Sequence, residues 1–348
     1  MKESLMECKQ VKKKVLVTGG AGYIGSHCLI ELIKNDYIPI VYDDFSNSSK
    51  EVFARIEKIT GLCPQFVTGD IRDIKSLRKV FKDNDIDSVI HLAGKKSVSE
   101  SEVDPLLYYS VNVGGTIALL KVMKEFSVKK MVFSSTATVY GLGSCNCFSE
   151  EMPLAPINNY GKSKLSCEEI IRSYAKTDLD FNAIILRYFN PVGAHESGLI
   201  GENPCGLPAN LMPYITNVAI GKLKKLKIFG NDYQTRDGTG ARDYIHVQDL
   251  ANAHICALDY LVSANGTEVF NIGTGKDTTV LELLLTFEKV TNIKIPYEIV
   301  SRRPGDTDSC YANPSKANLR LNWKATKNID EMCRDAWNWQ RLNPTGYN

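Results

Sequence analysis

The first half of the chain alternates short apolar runs with segments of helical spacing, and this alternation restricts the fold more than any other feature. The runs are rich in β-branched residues and too short for helices. They lie at residues 15–17, 38–42, 66–67, 88–92, 131–133 and 183–186. Such runs suit strands buried on both faces, and their alternation with helices predicts an α/β fold with a doubly wound parallel sheet.

This rhythm breaks after about Asn190, and Pro and Gly punctuate the sequence as far as Gly240. A chain of 348 residues is long enough for about two lobes. We therefore predict a first lobe over residues 1–189 and a smaller α/β lobe over residues 190–348. Segments near residues 240–275 are expected to pack back on the first lobe.

Composition excludes several classes of protein. The 42 Lys and Arg residues nearly balance the 40 Asp and Glu residues, so the net charge of +2 gives no basic field for nucleic acid. We expect no window of about 18 apolar residues that spans a membrane. The first ten residues lack the apolar core of a signal peptide. These features predict a cytoplasmic protein with no nucleic-acid and no membrane partner.

Ten cysteines are scattered through this large, mixed sequence, as is typical of free thiols in a reducing compartment. Cys145 and Cys147 form the one close pair, and no second Cys/His pair completes a zinc set. We therefore predict no metal site.

A glycine-rich loop follows the first apolar run and precedes a helical segment. Gly19, Gly22 and Gly25 recur three residues apart, which suits a tight turn, close approach of a pyrophosphate and close helix packing. Asp43 ends the second run, 18 residues after Gly25, where a carboxylate binds ribose hydroxyls and repels a 2′-phosphate. The pattern favours NAD over NADP. Asp70 ends the third run and either reaches the adenine or forms an Asx turn.

A phenol and an ammonium group, Tyr160 and Lys164, stand four residues apart and share one face of a predicted helix. Lowering the pKa of a phenol by about three units requires about 4 kcal/mol, which a fixed lysine charge and a nicotinamide cation can supply. Thr136 ends the fifth run, at the sheet edge where parallel sheets bind ligands. We predict that Thr136 binds the reacting oxygen, and interpret Ser134 and Ser135 as turn formers.

Six sequence motifs, three of them in the first half, carry a resemblance to a known family. They are residues 19–27, 134–141, 160–164, 186–195, 228–233 and 237–246. Together they resemble the UDP-glucose 4-epimerase family of extended short-chain dehydrogenases/reductases. The likeness runs from about residue 14 to residue 347, and generic dehydrogenases of the superfamily do not share the motifs beyond Asn190.

The resemblance implies that the first lobe is an NAD-binding Rossmann domain and that the second binds a UDP-sugar. The implied cofactor residues are Gly19, Gly22, Tyr23, Ile24, Gly25, Asp43, Asp44, Phe45, Ser46, Asn47, Ser48, Asp70, Ile71, Leu92, Ala93, Gly94, Lys96, Asn112, Tyr160, Lys164 and Phe189. The implied substrate residues are Lys96, Thr136, Tyr160, Asn190, Asn210, Leu211, Lys227, Ile228, Phe229, Arg242, Arg303, Asp306 and Cys310. The two arginines also make physical sense, because forked guanidinium donors suit a diphosphate.

The implied reaction is epimerisation at C4 of a UDP-hexose, with Tyr160, Lys164 and Thr136 as the catalytic residues. Tyr160 takes the 4-hydroxyl proton while the C4 hydride passes to NAD, and a 4-keto sugar results. The resemblance also implies a homodimer, formed through helices around residues 109–126 and 160–174.

Four positions depart from the commonest family pattern: Thr136, Ala209, Val111 and Cys310. Thr136 often appears as serine in the family, and the extra methyl should be tolerated because the hydroxyl remains. Ala209 replaces a frequent asparagine, and Asn112 is expected to serve in place of an asparagine at position 111. The family carries a bulky tyrosine or a small residue at position 310, beside the sugar. The small Cys310 leads to the hypothesis that UDP-GlcNAc and UDP-GalNAc are also substrates, and a buried inert thiol is the alternative.

Competing functions also fit parts of the pattern. A nucleotide-sugar 4,6-dehydratase would carry Asp-Glu after Thr136, and here Ala137 and Thr138 follow it. An enzyme acting on UDP-glucuronate should need a cationic partner for the sugar carboxylate, which we cannot identify. A non-catalytic NAD sensor would have no need for Thr136, Tyr160 and Lys164.

Overall fold

The computed structural model describes residues 12–143, 145–206, 208–303 and 305–347. Cys8 and the first ten residues, on which the prediction about a signal peptide depends, lie outside the described residues. The strands are β1 (Lys14–Thr18), β2 (Ile38–Asp43), β3 (Gln65–Thr68), β4 (Ile86–His91), β5 (Lys130–Thr136), β6 (Cys147–Phe148), β7 (Asn182–Tyr188), β8 (Asn190–Val192), β9 (Leu226–Phe229), β10 (Ala241–Arg242), β11 (Tyr244–His246), β12 (Thr267–Ile272), β13 (Thr278–Thr279), β14 (Tyr297–Val300) and β15 (Ser309–Ala312).

Helices connect most of these strands. They are α1 (Tyr23–Lys34), α2 (Glu51–Thr60), α3 (Ile74–Asp83), α4 (Val98–Val103), α5 (Pro105–Tyr108), α6 (Gly115–Glu125), α7 (Asn159–Thr177), α8 (Leu211–Ala219), α9 (Val247–Tyr260), α10 (Val280–Thr291), α11 (Ser315–Arg320) and α12 (Ile329–Leu342). A π-helical turn, Tyr109–Gly114, joins α5 to α6, and a 3₁₀-helix, Ala137–Tyr140, follows β5.

Seven parallel strands form the central sheet in the order β3-β2-β1-β4-β5-β7-β12. Central strands are buried on both faces, as predicted, and Val15, Leu16 and Val17 are fully buried. The prediction was wrong for β3, where Phe66 is 39% exposed, because β3 lies at the edge of the sheet. The strand order reverses between β1 and β4, which is where doubly wound sheets bind ligands.

Smaller sheets complete the fold, and the chain does not divide cleanly between them and the central sheet. β12 supplies the last strand of the central sheet from residues 267–272. Conversely, β6 lies in the first half of the chain and pairs with β15 in a sheet of order β13-β10-β15-β6. The division into lobes of residues 1–189 and 190–348 therefore stays a prediction about binding roles.

The helical segment Pro105–Glu125 corrects one expectation from the sequence. It is 21 residues long with a mean hydropathy of 1.3, so it is long and apolar enough to cross a membrane. In the structure half of it is buried, and Tyr108, Leu119 and Met123 lie in the core. A buried core helix passes the same length and hydropathy test, so the segment is weak evidence for a membrane.

Candidate active site

The three glycines of the loop between β1 and α1 have different surroundings. Gly19 has a φ of +71°, and a Cβ there would lie 2.7 Å from the backbone nitrogen of Ala93. A Cβ at Gly25 would lie 2.4 Å from the Gly19 carbonyl oxygen, so this glycine allows α1 to pack on the loop. At Gly22 a Cβ would meet a single described atom within 4 Å, at 3.3 Å, and no described side chain caps α1. The free helix N-terminus at Gly22 is thus open to an anion.

Asp43 organises the neighbouring loop at the end of β2. One carboxylate oxygen accepts from the Ala21 N–H at 3.0 Å, and the other accepts from the Phe45 N–H and the Ser48 hydroxyl, both at 2.9 Å. Burial raises the pKa of Asp43, and these hydrogen bonds oppose the rise. The carboxylate keeps lone pairs for ribose hydroxyls. In the same turn the Asp44 carboxylate accepts from the Ser46 N–H.

Asp70 and Ile71 follow β3, and the Asp70 carbonyl accepts from the Tyr42 hydroxyl at 2.9 Å and from the Asp73 N–H at 2.8 Å. The Asp70 carboxylate binds the Arg72 side chain and backbone N–H, which lowers its pKa. The Ile71 side chain is buried in the core. Asp70 therefore forms the Asx turn that the sequence allowed as an alternative.

Tyr160 and Lys164 lie on α7, and Thr136 ends β5 beside them. Asn158 caps α7 by accepting from the Gly161 N–H at 2.8 Å, which fixes the first turn of the helix. The Thr136 hydroxyl donates to the Thr138 hydroxyl at 2.9 Å and accepts from the Thr138 N–H, and it lies close enough to Tyr160 to oppose the rise in the pKa of that phenol. Lys164 is 5% exposed, and its Nζ lies 4.6 Å from the centroid of the Phe133 ring. The fold thus brings together the three residues that the sequence predicts to be catalytic.

Burial dominates the electrostatics of this group. It raises the pKa of Tyr160 to about 12, against the opposing effect of the Thr136 hydroxyl, and it lowers the pKa of Lys164 to about 8. Forming a phenolate near pH 7 then requires about 7 kcal/mol, because each pKa unit is about 1.4 kcal/mol. This exceeds the requirement predicted from the sequence, so a phenolate at Tyr160 would depend on nearby positive charge, such as that of a bound nicotinamide cation.

Asn112 lies on the π-helical turn, and its side chain is committed to the protein. Its amide oxygen accepts from the Lys95 N–H at 2.8 Å, and its amide nitrogen donates to the Lys95 carbonyl and the Ser163 hydroxyl. Asn112 is 2% exposed and packs against Gly94. A Cβ at Gly94 would lie 2.9 Å from the Asn112 amide oxygen. It therefore shapes the loop of Leu92, Ala93 and Gly94.

A buried ion pair under the site was not predicted from the sequence. Arg187 donates twice to the Glu168 carboxylate, at 3.0 and 2.7 Å, and both side chains are at most 1% exposed. Glu168 also accepts from the Ser135 hydroxyl at 2.5 Å. Glu168 lies one turn after Lys164, and Ser135 precedes Thr136, so Glu168 joins α7 to β5, the two elements that carry the predicted catalytic residues. The interpretation of Ser135 as a turn former was wrong, because Ser135 lies within β5 and its hydroxyl binds Glu168.

Phe189, Asn190 and Cys310 form one side of the site. Phe189 is 6% exposed and packs with Val139 and Tyr140, and Cys310 packs against the same cluster. Asn190 is exposed at the start of β8. Burial raises the pKa of Cys310 to about 11, so its thiol stays neutral. Cys310 also pairs in register with Arg242 on β10.

Arg242 and Arg303 meet through Asp306. Arg303 donates to one Asp306 oxygen at 2.9 Å, and Arg242 approaches the other at 3.4 Å. The Arg303 guanidinium also lies 4.9 Å from the centroid of the Phe229 ring, which is 37% exposed. The Asp306 carboxylate therefore binds the two arginines. A flat aromatic surface lies beside two cations, an arrangement that suits a nucleoside diphosphate.

The remaining predicted substrate residues differ in how far their side chains are exposed to solvent. Lys227 shares the exposed face of β9 with Phe229, whereas the Ile228 side chain is 1% exposed and faces the core. Leu211 begins α8 and is partly buried. Lys96 and Asn210 both hydrogen-bond Glu202, at 3.0 and 2.7 Å. No motif in the sequence points to Glu202.

These surroundings fit NAD and a UDP-sugar. Gly22 leaves room at an uncapped helix N-terminus, Asp43 lies where ribose hydroxyls would bind, and Phe189 packs with Val139 and Tyr140, which follow Thr136 in the chain. The described residues include no cluster of three His, Cys, Asp or Glu side chains suited to a metal ion.

Comparisons with known proteins agree with this geometry. A family model described as GDP-mannose 4,6 dehydratase matches residues 16–336. A UDP-glucose 4-epimerase of Dictyostelium discoideum is 53% identical over 338 residues, which cover 97% of this chain and 98% of that protein.

Solved structures are also similar. The UDP-glucose 4-epimerase from Bifidobacterium longum, in complex with NAD+ and UDP, has a TM-score of 0.93 and 49% identity, covering 96% of this chain and 100% of that one. The UDP-Glc/GlcNAc 4-epimerase from Campylobacter jejuni has a TM-score of 0.83 and 36% identity, covering 95% and 99%. The chain therefore belongs to the UDP-glucose 4-epimerase family of extended short-chain dehydrogenases/reductases.

Proposed function

We propose that this chain interconverts UDP-glucose and UDP-galactose by inverting C4, with Tyr160 as the base. The observation that carries the proposal is the meeting of Thr136, Tyr160 and Lys164 at the same sheet edge as Asp43 and the glycine loop. The sugar 4-hydroxyl, the base Tyr160 and the cofactor would then lie next to one another.

Each catalytic residue has one role in this reaction. Bound NAD would accept the C4 hydride and return it to the opposite face of the sugar ring, so it would be regenerated in each turnover. Tyr160 removes the proton of the 4-hydroxyl, Thr136 orients that oxygen, and a 4-keto sugar results. Lys164 would hold the nicotinamide ribose, and its ammonium group, one helical turn from Tyr160, would favour the phenolate. The sugar then turns its opposite face to the cofactor, and Tyr160 returns the proton.

The two arginines hold UDP during this turn. Arg242 and Arg303 keep free N–H donors after binding Asp306, because a guanidinium has five. Those donors suit the diphosphate, and the exposed Phe229 ring suits the uracil. An anchored UDP allows the hexose to rotate without leaving the enzyme.

Replacing Tyr160 by Phe tests the base. We expect kcat to fall by about 10²–10⁴-fold, because the variant loses only the phenol oxygen. NAD content after purification should remain that of the parent protein. Turnover is measured by separating UDP-glucose from UDP-galactose, and NADH absorbance checks that no net oxidation occurs.

Tyr37→Phe is the matched control, because that hydroxyl binds Asp259 on the surface. Unchanged kcat in Tyr160→Phe would exclude Tyr160 as the base. Steady net production of NADH by the parent protein would indicate an ordinary dehydrogenase, and loss of water from the sugar would indicate a dehydratase.

We further propose that the small, neutral Cys310 leaves space for a 2-acetamido group, so that UDP-GlcNAc and UDP-GalNAc are also substrates. Cys310 contacts the cluster that contains Phe189, on the side of the site predicted to face the sugar. The similar Campylobacter jejuni structure is that of a UDP-Glc/GlcNAc epimerase, which supports such breadth within this fold.

A Cys310→Tyr variant tests this space. We expect kcat/KM for UDP-GlcNAc to fall by at least about tenfold, while the value for UDP-glucose changes little, since steric exclusion acts on the larger substrate. Cys63→Tyr, at an exposed cysteine, is the control. The idea fails if the parent protein leaves UDP-GlcNAc unchanged, or if Cys310→Tyr affects both substrates equally.

We also propose a cytoplasmic homodimer. The nine described cysteines are all free thiols, in agreement with a reducing compartment. The π-helical turn, α6 and α7 leave Tyr109, Val113, Ile117 and Ile170 at least partly exposed, which supports a helical interface there.

A further inference from the structure

Glu202 joins two residues that the resemblance assigns to the substrate. One carboxylate oxygen accepts both from the Lys96 ammonium, at 3.0 Å, and from the Asn210 amide, at 2.7 Å. Its side chain is 9% exposed, whereas that of Lys96 is 54% exposed. A mostly buried carboxylate needs such partners, so the three groups hold one another in place.

The backbone at Glu202 is fixed by the C-terminal segment. Its carbonyl accepts from the Trp339 indole N–H at 3.1 Å. The preceding Gly201 exchanges two hydrogen bonds with the Tyr347 hydroxyl, at 3.1 and 3.2 Å. A Cβ at Gly201 would lie 2.3 Å from the Trp339 ring. The carboxylate therefore projects from a rigid support.

The partners of Glu202 come from opposite sides of the site. Lys96 follows β4 of the central sheet, and Asn210 is the N-cap residue of α8. A second hydrogen bond, like that from Lys96 to Glu202, joins this region to the first half of the chain. In it the Cys205 N–H donates to the Asn47 amide oxygen at 3.4 Å. Glu202 and Cys205 thus contact the loops predicted to hold the cofactor.

Both partners keep hydrogen bonds for a ligand. An ammonium has three N–H donors and Lys96 uses one on Glu202; the Asn210 amide likewise has a second N–H and its oxygen. Glu202 itself would repel a diphosphate. Glu202 instead orients the N–H donors of Lys96 and Asn210 and does not itself bind the diphosphate.

We propose that Glu202 is a positioning residue that holds Lys96 and Asn210 for the diphosphate and sugar of the UDP-sugar. This inference rests on the proposed function, because the ligand roles of Lys96 and Asn210 come with it. Glu202 joins the cofactor side of the site to the substrate side and makes the two donors act together.

Glu202→Ala tests the proposal in the full-length protein. We expect KM for UDP-glucose to rise about tenfold and kcat to change less than about twofold, with NAD content unchanged. Glu202→Gln, which can still accept from both partners, should recover much of the loss. In a double-mutant cycle, Asn210→Ala should have little further effect once Glu202 is removed.

Glu125→Gln is the control, because Glu125 forms an exposed ion pair with Arg78. The proposal is overturned if Glu202→Ala lowers thermal stability while KM stays unchanged, or if the effects of Glu202→Ala and Asn210→Ala simply add. Tighter binding in Glu202→Gln would also overturn it, because Glu202 would then be a competitor of the diphosphate.

Calorimetric binding of UDP separates this inference from the proposed function. If the parent protein binds UDP but shows no epimerisation, the proposed function fails and Glu202 is still judged by the UDP dissociation constant. If epimerisation proceeds and Glu202→Ala binds UDP normally, the positioning role alone fails.

Discussion

Lys164 is a residue whose burial as a charged group destabilises the folded protein. Its ammonium group is 5% exposed and contacts the Phe133 ring, and burial lowers its pKa from 10.5 to about 8. The unfavourable charge is retained at neutral pH because the proposed reaction needs a cation beside Tyr160 and the cofactor ribose.

Lys164→Met should therefore stabilise the cofactor-free protein at pH 7, by up to about 3 kcal/mol. The folded pKa lies below the unfolded value, so the cost is complete below pH 8 and disappears as pH rises toward 10.5. Urea unfolding at several pH values measures this difference. Lys162→Met, at an exposed position on α7, is the control. A pH-independent difference would contradict the assignment.

Residues with a fixed local spacing were predictable. Tyr160 and Lys164 are one helical turn apart, and Thr136 ends an apolar run, so their placement follows from the secondary structure. Glu202 was not predictable, because it lies 106 residues from Lys96 and no local pattern connects them. The same holds for the ion pair of Arg187 and Glu168.

The glycine loop and α1 form the element that most directly fixes the cofactor. We expect Gly25→Ala to abolish retention of NAD, since its Cβ would lie 2.4 Å from the Gly19 carbonyl oxygen and 2.7 Å from Gly20 Cα. Both contacts are with backbone, so α1 would have to move away from the loop. NAD content after purification measures the effect.

Gly61→Ala is a useful comparison, because no atom of the described residues lies within 4 Å of its Cβ position. Its φ of +76° makes the change strained, but the site is remote from the loop. If Gly25→Ala retained NAD while Gly61→Ala did not, close packing of α1 would not be what holds the cofactor.

Strands were easier to predict than irregular helical turns. All six apolar runs became strands of the central sheet, and in all of them but the edge strand β3 burial on both faces accounts for the clear apolar signal. The π-helical turn at Tyr109–Gly114 was not predicted, since its sequence is typical of an ordinary helix. That turn directs Asn112 toward the loop at Gly94.

At the scale of the whole molecule, the proposed dimer makes a direct prediction. Ile117→Glu should convert a dimer into monomers, because a charge would be buried between helices if α6 lies at the interface. Light scattering coupled to gel filtration measures the mass. Leu319→Glu, at a residue 83% exposed on α11, should leave the mass unchanged. A parent protein that is monomeric at micromolar concentration would exclude the interface.

The return of β12 to the central sheet has a consequence for synthesis of the chain on the ribosome. Until residue 272 has emerged, β7 is an unpaired edge whose residues from Ala183 to Leu186 are wholly apolar. Such an edge invites association with other nascent chains. The part of the chain predicted to bind NAD thus cannot complete its sheet alone, and a product truncated near residue 189 should accumulate as aggregates rather than as a small soluble cofactor-binding protein.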